Sequence, residues 1–283
     1  MGKTLFLRGS ITLLISLFCC SLATASIVTE DTTWTVDNSP YQLTEKIQIA
    51  SNVTLTIEAG VEVSGSSIQA FGTLLVKGEV DNPVLFRDTE LSVSKDGTSS
   101  GHLNIDHAHI TNTTLYRGGS GSNAKGKLTL TNSVIQDNPW IYLWYPTDDC
   151  LFEGNIFINS GGISVGTDGG IQVTIRNNFF YAQTGGFAIE NWASYRGSST
   201  NVEFNSFVST DRTAVKLEYD SGAMLAQNNY WGTTDENLIQ QMIFDRNDTL
   251  DLSSTIEYSP YLTEHDSLTP DPVSDDRDLD SLS

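Results

Sequence analysis

The sequence predicts an all-β fold, a single right-handed parallel β-helix of about eight coils, and two observations lead to this prediction. First, apolar residues alternate with period two in short runs broken by Gly, Asn and Asp, as is typical of β-strands. Second, a unit of 20–28 residues with two or three short strands is typical of one coil of a β-helix. The runs recur in such units, starting at Ile47, Ile68, Leu91, Leu115, Ile141, Ile163, Phe187 and Val215.

A second anchor recurs within the later units, for example VTIRNNFF at 173–180 and MLAQNNYW at 224–231. Successive coils of a β-helix stack at the strand spacing of ~4.8 Å, so equivalent residues lie on top of one another. We therefore interpret the asparagines as a structural corner and assign them no function. The predicted ladder of side chains at this corner is Ser133, Asn155, Asn178, Asn205 and Asn229.

Both ends of the β-helix, which spans residues 26–262, need covers because an open coil exposes backbone groups. Residues 26–46 are predicted to form the N-terminal cap. Residues 233–244 predict a short C-terminal capping helix, which Thr233 and Glu236 begin as a capping box. Its apolar face is predicted to consist of Leu238, Ile239, Met242 and Ile243. The acidic residues 263–283 are expected to be a disordered tail.

The first 25 residues have the organisation of a secretory signal peptide. Lys3 and Arg8 precede an apolar run over residues 11–20, and the sequence ATA at 23–25 has the spacing of a cleavage site. We expect cleavage after Ala25 and export to the periplasm or the cell exterior. No later segment is apolar enough to predict insertion in a membrane.

The charge of the chain limits its partners. Loss of Lys3 and Arg8 with the leader changes the formal net charge from −20 to −22. Such acidity argues against nucleic acid and anionic membranes as partners, since both require clustered cations. Cys150 is the only cysteine left after cleavage, so no intrachain disulfide can form, and we interpret it as a small buried apolar residue. We expect a monomer.

Two parts of the chain resemble the pectate-lyase-like, right-handed parallel β-helix superfamily. The opening coils carry LTIEAGVEVSG at 55–65 and LLVKGEVDNPVLF at 74–86, and the closing part carries NNYWGTTDENLIQQMIFDRND at 228–248 and IEYSPYL at 256–262. The resemblance covers residues 35–262 and is specific for the fold. The superfamily includes lyases, hydrolases, epimerases, adhesins and non-catalytic scaffolds, so the resemblance leaves the activity open. No lyase motif and no hydrolase aspartate pattern of the family matches this sequence.

The resemblance places candidate sites outside the first strand of each coil. Alternation along these strands predicts which side chains point outward. The predicted outward residues are Tyr116, Tyr142, Ser164, Ala188 and Lys216, then Trp144, Gly166, Glu190 and Glu218, then Asp168, Trp192 and Asp220. Among them are aromatic rings of the kind that stack on sugars. We therefore predict a carbohydrate-binding face that contains Tyr116, Tyr142, Trp144, Trp192 and the loop residue Arg196.

The acidic residues of this face have three possible roles. Glu190 and Glu218 are expected to lie ~4.8 Å apart on adjacent coils, where like charges repel unless a cation lies between them. With Asp220 they are candidate ligands for Ca²⁺. With Lys216 they are candidate catalytic groups of a glycoside hydrolase, or of a lyase that acts on acidic polysaccharide. Alternatively they are solvated surface acids, as an acidic protein carries by default.

Three histidines in HLNIDHAHI, residues 102–110, suggest a different class of function. His107 and His109 have the spacing that puts two side chains on one side of a strand, where they could bind Zn²⁺ or Cu²⁺ with a third ligand such as Asp106. The function that the sequence favours is an exported polysaccharide-interacting protein, with acidic sugars as the expected ligands. The alternatives are a non-enzymatic surface or matrix scaffold and a periplasmic metal-binding protein.

Overall fold

The computed structural model of the protein describes residues 26–97, 99–116, 126–209, 211–220 and 222–272. The chain is a parallel β-helix in which each coil contributes up to three short strands, and like strands of successive coils pair in register. The predicted fold class is confirmed. The predicted signal peptide lies outside the described residues. The α-helix of the described residues is six residues long, and no helix among them has the length and apolarity to cross a bilayer.

The first face of the coils is formed by two separate five-stranded sheets. Sheet 1, in the N-terminal half, consists of β1 (Ser26–Val28), β4 (Ile47–Ile49), β7 (Ser67–Ala70), β10 (Glu90–Val93) and β14 (Thr114–Leu115). Sheet 4, in the C-terminal half, consists of β17 (Ile141–Trp144), β20 (Ile163–Thr167), β23 (Phe187–Ser194), β26 (Thr213–Leu217) and β28 (Ile243–Phe244).

The other two faces run the length of the β-helix. Sheet 2 consists of β2 (Thr32–Trp34), β5 (Thr54–Glu58), β8 (Thr73–Lys77), β12 (Ser99–Asp106), β15 (Gly126–Thr131), β18 (Cys150–Glu153), β21 (Gln172–Arg176), β24 (Ser199–Glu203) and β27 (Met224–Leu225), and β11 (Lys95–Asp96) pairs antiparallel with β12. Sheet 3 consists of β3 (Tyr41–Leu43), β6 (Glu62–Gly65), β9 (Val84–Arg87), β13 (Ala108–Thr111), β16 (Val134–Gln136), β19 (Ile156–Ile158), β22 (Phe179–Tyr181) and β25 (Ser206–Phe207).

The predicted ladder between sheets 2 and 3 is confirmed. The backbone N–H of each member donates to the side-chain oxygen of the next, for example from Asn155 to Asn178 at 3.0 Å and from Asn178 to Asn205 at 2.9 Å. Asn178 Nδ2 also donates to Asn205 Oδ1 at 2.9 Å and to the carbonyl of Phe152 at 3.0 Å. Because these side chains are fully buried, the ladder supplies partners to backbone groups that would otherwise have none.

Apolar side chains fill the interior of the coils, as the period-two pattern predicts. An internal row of rings formed by Phe157, Phe180, Phe207 and Trp231 shows the stacking most directly, since neighbouring centroids lie 4.8, 5.2 and 5.2 Å apart. Cys150 is buried among these apolar residues, as predicted. A second polar corner, between sheet 3 and the next coil, was not predicted from the sequence. There the N–H of Asn138 donates to Ser160 Oγ at 3.3 Å.

The two ends differ from their predictions. Residues 26–46 are the first coil itself, since β1, β2 and β3 pair in register with the next coil, and Trp34 stacks on Tyr41 at 4.3 Å against the core. The other helical element described is the 3-10 turn Val36–Asn38. The capping helix, α1 (Glu236–Gln241), is shorter than predicted. Its N-cap is Asp235, which accepts from the N–H of Asn237 at 2.9 Å.

The prediction that Thr233 caps this helix is therefore wrong, because Thr233 Oγ1 instead accepts from the N–H of Asp235, outside the helix. Ile239 and Met242 are buried against the last coils, whereas Leu238 is 38% exposed. The prediction of a disordered tail is wrong for residues 263–272, which lie on the outside of sheet 3, and residues 273–283 lie outside the described part of the chain.

Candidate functional site

The candidate site is the outer surface of sheet 4. Strand pairing aligns one outward residue from each of its five strands in a single row across the coils: Tyr142, Ser164, Glu190, Lys216 and Phe244. Each member of the row has a different side chain, unlike the ladder at the corner. The row therefore combines an aromatic ring at each end with hydroxyl, carboxylate and ammonium groups between them.

The polar members of the row are linked by hydrogen bonds at Ser164 and by ion pairs at Lys216. Trp144 Nε1 donates to Ser164 Oγ at 3.0 Å, and Ser164 Oγ donates to Glu190 Oε2 at 2.6 Å. Lys216 Nζ lies 3.8 Å from Glu190 Oε1 and forms a close ion pair with Glu218 Oε2. The ammonium group also lies 5.5 Å from the ring centroid of Phe187 and 5.7 Å from that of Phe244, in cation–π geometry.

The carboxyl group of Glu190 is perturbed by its surroundings. Burial raises its pKa above the ordinary value of 4.5, and the neighbouring Glu218 raises it further. The hydrogen bond from Ser164 and the charge of Lys216 oppose this shift without reversing it. Glu190 therefore retains a proton at a higher pH than an exposed glutamate does, whereas the direct partner of Lys216 is Glu218.

The structure corrects the predicted relation between the two glutamates. Ile163 pairs with Ile189 rather than with Phe187, so the strand is displaced by two residues from the predicted alignment. Glu190 still faces outward because side-chain direction has period two. Its neighbour on the next coil is Lys216, and Glu218 instead donates its N–H to the carbonyl of Asn191.

The predicted Ca²⁺ site does not fit this arrangement. Lys216 occupies the space between the carboxylates of Glu190 and Glu218, where a metal ion would have to displace an ammonium group. Asp220 is exposed at the far side of Tyr219. Within the described ranges, no three His, Cys, Asp or Glu side chains are grouped closely enough to hold a metal ion.

The aromatic residues of the face form a connected cluster. Trp144 and Trp192 stack across the coil between them, with centroids 5.3 Å apart, and a Cβ at Gly166 would lie 3.1 Å from one ring and 3.3 Å from the other. Because these two indoles cover part of each other, the more exposed rings are at the ends. Tyr142 is 38% exposed and contacts Trp144, whereas Tyr219 is 52% exposed and contacts Trp192.

The structure places one predicted member of the face, Tyr116, differently and leaves another, Arg196, in the predicted loop. The prediction that Tyr116 faces a substrate is wrong, because it follows the last strand of sheet 1 with a left-handed backbone (φ 43°), is fully buried, and donates its hydroxyl to the carbonyl of Gly126 at 3.1 Å. Arg196 is exposed at the rim of sheet 4, where it forms a bidentate ion pair with Asp168.

Two residues of the site were not assigned a role by the sequence. Ser164 was placed on the outward face, but nothing in its surroundings in the sequence indicated that it links Trp144 to Glu190. Tyr219 falls at an inward position of the repeat, so alternation alone excluded it. The strand β26 ends at Leu217, and beyond this point alternation no longer predicts the direction of a side chain.

The two histidines lie on different elements of the coil, and a metal-binding pair stays a prediction. His107 has a left-handed backbone at the corner and its Nδ1 lies 2.9 Å from Asp106 Oδ2, while His109 lies on β13. Asp106 also accepts from Thr131 Oγ1 at 2.7 Å and from Asn132 Nδ2 at 2.8 Å, and these hydrogen bonds lower its pKa despite partial burial. These contacts engage Asp106 within the coil surface.

Comparison with known proteins identifies the family. A family model described as a right-handed beta helix region matches residues 85–230, more than half of the 283 residues. The chain belongs to the right-handed β-helix family. The match runs from Leu85 in β9 to Tyr230, which lies beyond β27, and therefore includes four of the five strands of sheet 4 and the whole asparagine ladder. Searches of curated proteins and of solved structures gave no match.

Proposed function

We propose that the protein is an exported polysaccharide-binding β-helix whose binding surface is the outer face of sheet 4. The observation that supports this proposal is the pair of exposed rings, Tyr142 and Tyr219, at the two ends of the aromatic cluster beside the polar residues of the row. Three coil spacings separate their strands, which corresponds to about 14 Å. A sugar chain can place the apolar faces of its rings on the tyrosines and its hydroxyl groups on the row between them.

The charges of the face favour a neutral polysaccharide over the acidic one expected from the sequence. Lys216 and Arg196 are cations of this face that could bind a uronate carboxylate. In the structure Lys216 is shared by Glu190 and Glu218, and Arg196 is held by Asp168. A uronate would have to compete with these carboxylates on a chain with a formal net charge of −20. Sugar hydroxyls, in contrast, can donate to the carboxylate oxygens.

A hydrolase is the second candidate function, and the raised pKa of Glu190 is the observation that favours it. A protonated Glu190 would donate its proton to the leaving glycosidic oxygen. Glu218, which is paired with Lys216, would act as a carboxylate on the sugar carbon or on a water molecule, completing the two-carboxylate arrangement of glycosidases. Only 11% of the Glu190 side chain is exposed, so a substrate would have to approach this small exposed part closely.

Binding is tested with the mature chain on neutral and uronate polysaccharides, measured by affinity electrophoresis and calorimetry. The double variant Tyr142→Ala/Tyr219→Ala should bind about tenfold more weakly, since each stacked ring contributes about 0.5–1.5 kcal/mol. Tyr181→Ala is the matched control, because Tyr181 is 51% exposed on sheet 3. Failure to bind any polymer would contradict the proposal and favour a display scaffold, and preferential binding of uronates would contradict the charge argument.

Catalysis is tested separately by measuring the release of reducing ends or unsaturated products from each polymer that binds. Glu190→Gln keeps the shape of the side chain and removes the transferable proton, so it should abolish product release while binding is retained. If the parent and Glu190→Gln both bind a polymer and neither releases products, the hydrolase function is excluded and the protein is a binding protein. Products that persist in Glu190→Gln would place any active site elsewhere.

A further inference from the structure

Sheet 3 carries an apolar stripe on its outer surface. In β22, Phe180 points inward into the internal ring stack, so alternation directs Phe179 outward, yet Phe179 is only 7% exposed. Its partners in the pairing register are Ile156 and Val134, which are 0% and 2% exposed. These three residues, here called the outer stripe, form an apolar cluster separate from the core.

The C-terminal residues 263–272, here called the strap, lie along this surface. The strap leaves the last coil at Leu262, which bridges to Tyr230. The His265 ring then stacks over Phe179 at 6.0 Å, contacts Tyr230 at 4.7 Å, and has its Nδ1 2.7 Å from Ser206 Oγ. Phe179, Ser206 and Tyr230 occupy one row of the outer surface, so the histidine seats the strap on that row.

Two further side chains hold the strap. Asp266 Oδ1 accepts from Asn177 Nδ2 at 2.9 Å, and Thr269 Oγ1 donates to the carbonyl of Phe204 at 2.5 Å. Thr269 is 6% exposed, whereas Leu268 is 76% exposed. The strap is therefore held through the polar side chains of His265, Asp266 and Thr269, whereas the side chain of Leu268 is directed toward solvent.

The chemistry of the strap indicates that its attachment is reversible. It contains Glu264, Asp266 and Asp271 and no lysine or arginine, on a chain with a formal net charge of −20. Charge repulsion therefore opposes its docking, and salt should weaken that repulsion. The apolar outer stripe and the ring contacts of His265 favour docking. Because these effects oppose each other, the strap can detach from the surface and bind it again.

We propose that the outer face of sheet 3 is a binding groove for an extended peptide, and that the chain's own residues 263–272 fill it reversibly in cis. The occupant is the strap itself. Release of the strap uncovers Phe179, Ser206 and Tyr230, the row that His265 contacts. The groove lies on a different sheet from the proposed polysaccharide site, so the two proposals can fail independently.

The test uses a fluorescent peptide with the sequence TEHDSLTPDP, which is residues 263–272, and a chain truncated after Leu262. The peptide should bind the truncated chain, bind more tightly at high salt than at low salt, and bind the intact chain at least tenfold more weakly. The cis strap causes this last difference because its tether gives it an effective concentration of roughly millimolar. A His265→Ala peptide should lose binding, while the matched Leu268→Ala peptide should keep it.

A truncated chain that retains the circular dichroism of the parent but does not bind the peptide would overturn the proposal. Equal binding to the intact and truncated chains would also overturn it, since the peptide would then occupy another surface. If the truncated chain does not fold, the intact variant His265→Ala/Thr269→Ala replaces it. That variant should gain peptide binding over the parent, and no gain in a folded variant would contradict the proposal.

Discussion

The asparagine ladder and the row on sheet 4 are built by the same stacking of coils, yet their compositions are opposite. At the corner, Asn155, Asn178 and Asn205 stack like on like, and each supplies the hydrogen bonds that its neighbour needs. On sheet 4, Tyr142, Ser164 and Glu190 occupy equivalent positions with three different side chains. Repetition satisfies the backbone of every coil, whereas variation along a row creates a surface with a local chemistry.

This contrast separates structural from functional residues in a repeat protein. A residue that is repeated on every coil is needed by every coil, so its loss should affect folding. A residue that occurs once in its row is not needed by the repeat. The tyrosines and glutamates of sheet 4 are of this second kind, and their loss should affect binding more than stability.

Loss of a ladder residue is the largest effect that we expect. Asn178→Ala removes the acceptor for the N–H of Asn155 and the donor to the carbonyl of Phe152, both of which are buried. Unsatisfied buried polar groups cost about 1–3 kcal/mol each, so the free energy of unfolding should fall by about 3–5 kcal/mol. Urea denaturation followed by circular dichroism measures the change.

The control for this prediction is Asn201→Ala on the partly exposed outer surface of sheet 2, for which we expect a change of less than about 0.5 kcal/mol. If Asn178→Ala were no more destabilising than Asn201→Ala, the ladder would not be structural. Polysaccharide binding by folded Asn178→Ala should match that of the parent, because the ladder and the proposed binding face lie on different parts of the coil.

A smaller effect is expected where sheet 1 ends and sheet 4 begins. Tyr116→Phe removes one buried hydrogen bond to the carbonyl of Gly126 and should lower the free energy of unfolding by about 1 kcal/mol. Tyr181→Phe is the control, because Tyr181 is 51% exposed and should change little. Unchanged polysaccharide binding by Tyr116→Phe would agree with the position of Tyr116 in the core. A tenfold loss of binding would mean that Tyr116 belongs to the binding site.

The parts of the fold that repeat could be predicted from the sequence. The run starts at Ile47, Ile68, Leu91 and Leu115 pair with one another as predicted, because each is a single apolar anchor at a constant position of the coil. The ladder could be predicted for the same reason. In both cases the signal is like residues at a fixed interval, which stacking converts directly into contact.

The parts that do not repeat could not be predicted. Near Phe187 and Ile189, two alignments place the same residues outward, because a shift of two residues preserves alternation. The sequence therefore assigned Glu190 to the correct face and to the wrong neighbour. The prediction for the strap was wrong for another reason. The strap is held by a few polar side chains and one histidine ring, and its composition resembles that of a disordered segment.

The smallest expected effect concerns the pH dependence of the row. Because the pKa of Glu190 is raised in the folded state, its protonated form is favoured by folding. The contribution of Glu190 to stability is therefore fully present below the ordinary pKa of 4.5 and is lost as the pH rises through the raised value. The free energy of unfolding of the parent, relative to that of Glu190→Gln, should therefore decrease as the pH rises through this range.

Urea denaturation of both chains at a series of pH values measures this difference, in which the titrations of all other groups largely cancel. Ser164→Ala provides the matched comparison, because the hydrogen bond from Ser164 lowers the pKa of Glu190. In the Ser164→Ala background the same window should move to higher pH. If the parent instead gains stability relative to Glu190→Gln as the pH rises, the ion pair with Lys216 outweighs burial. Glu190 would then be a charged structural partner rather than a proton donor.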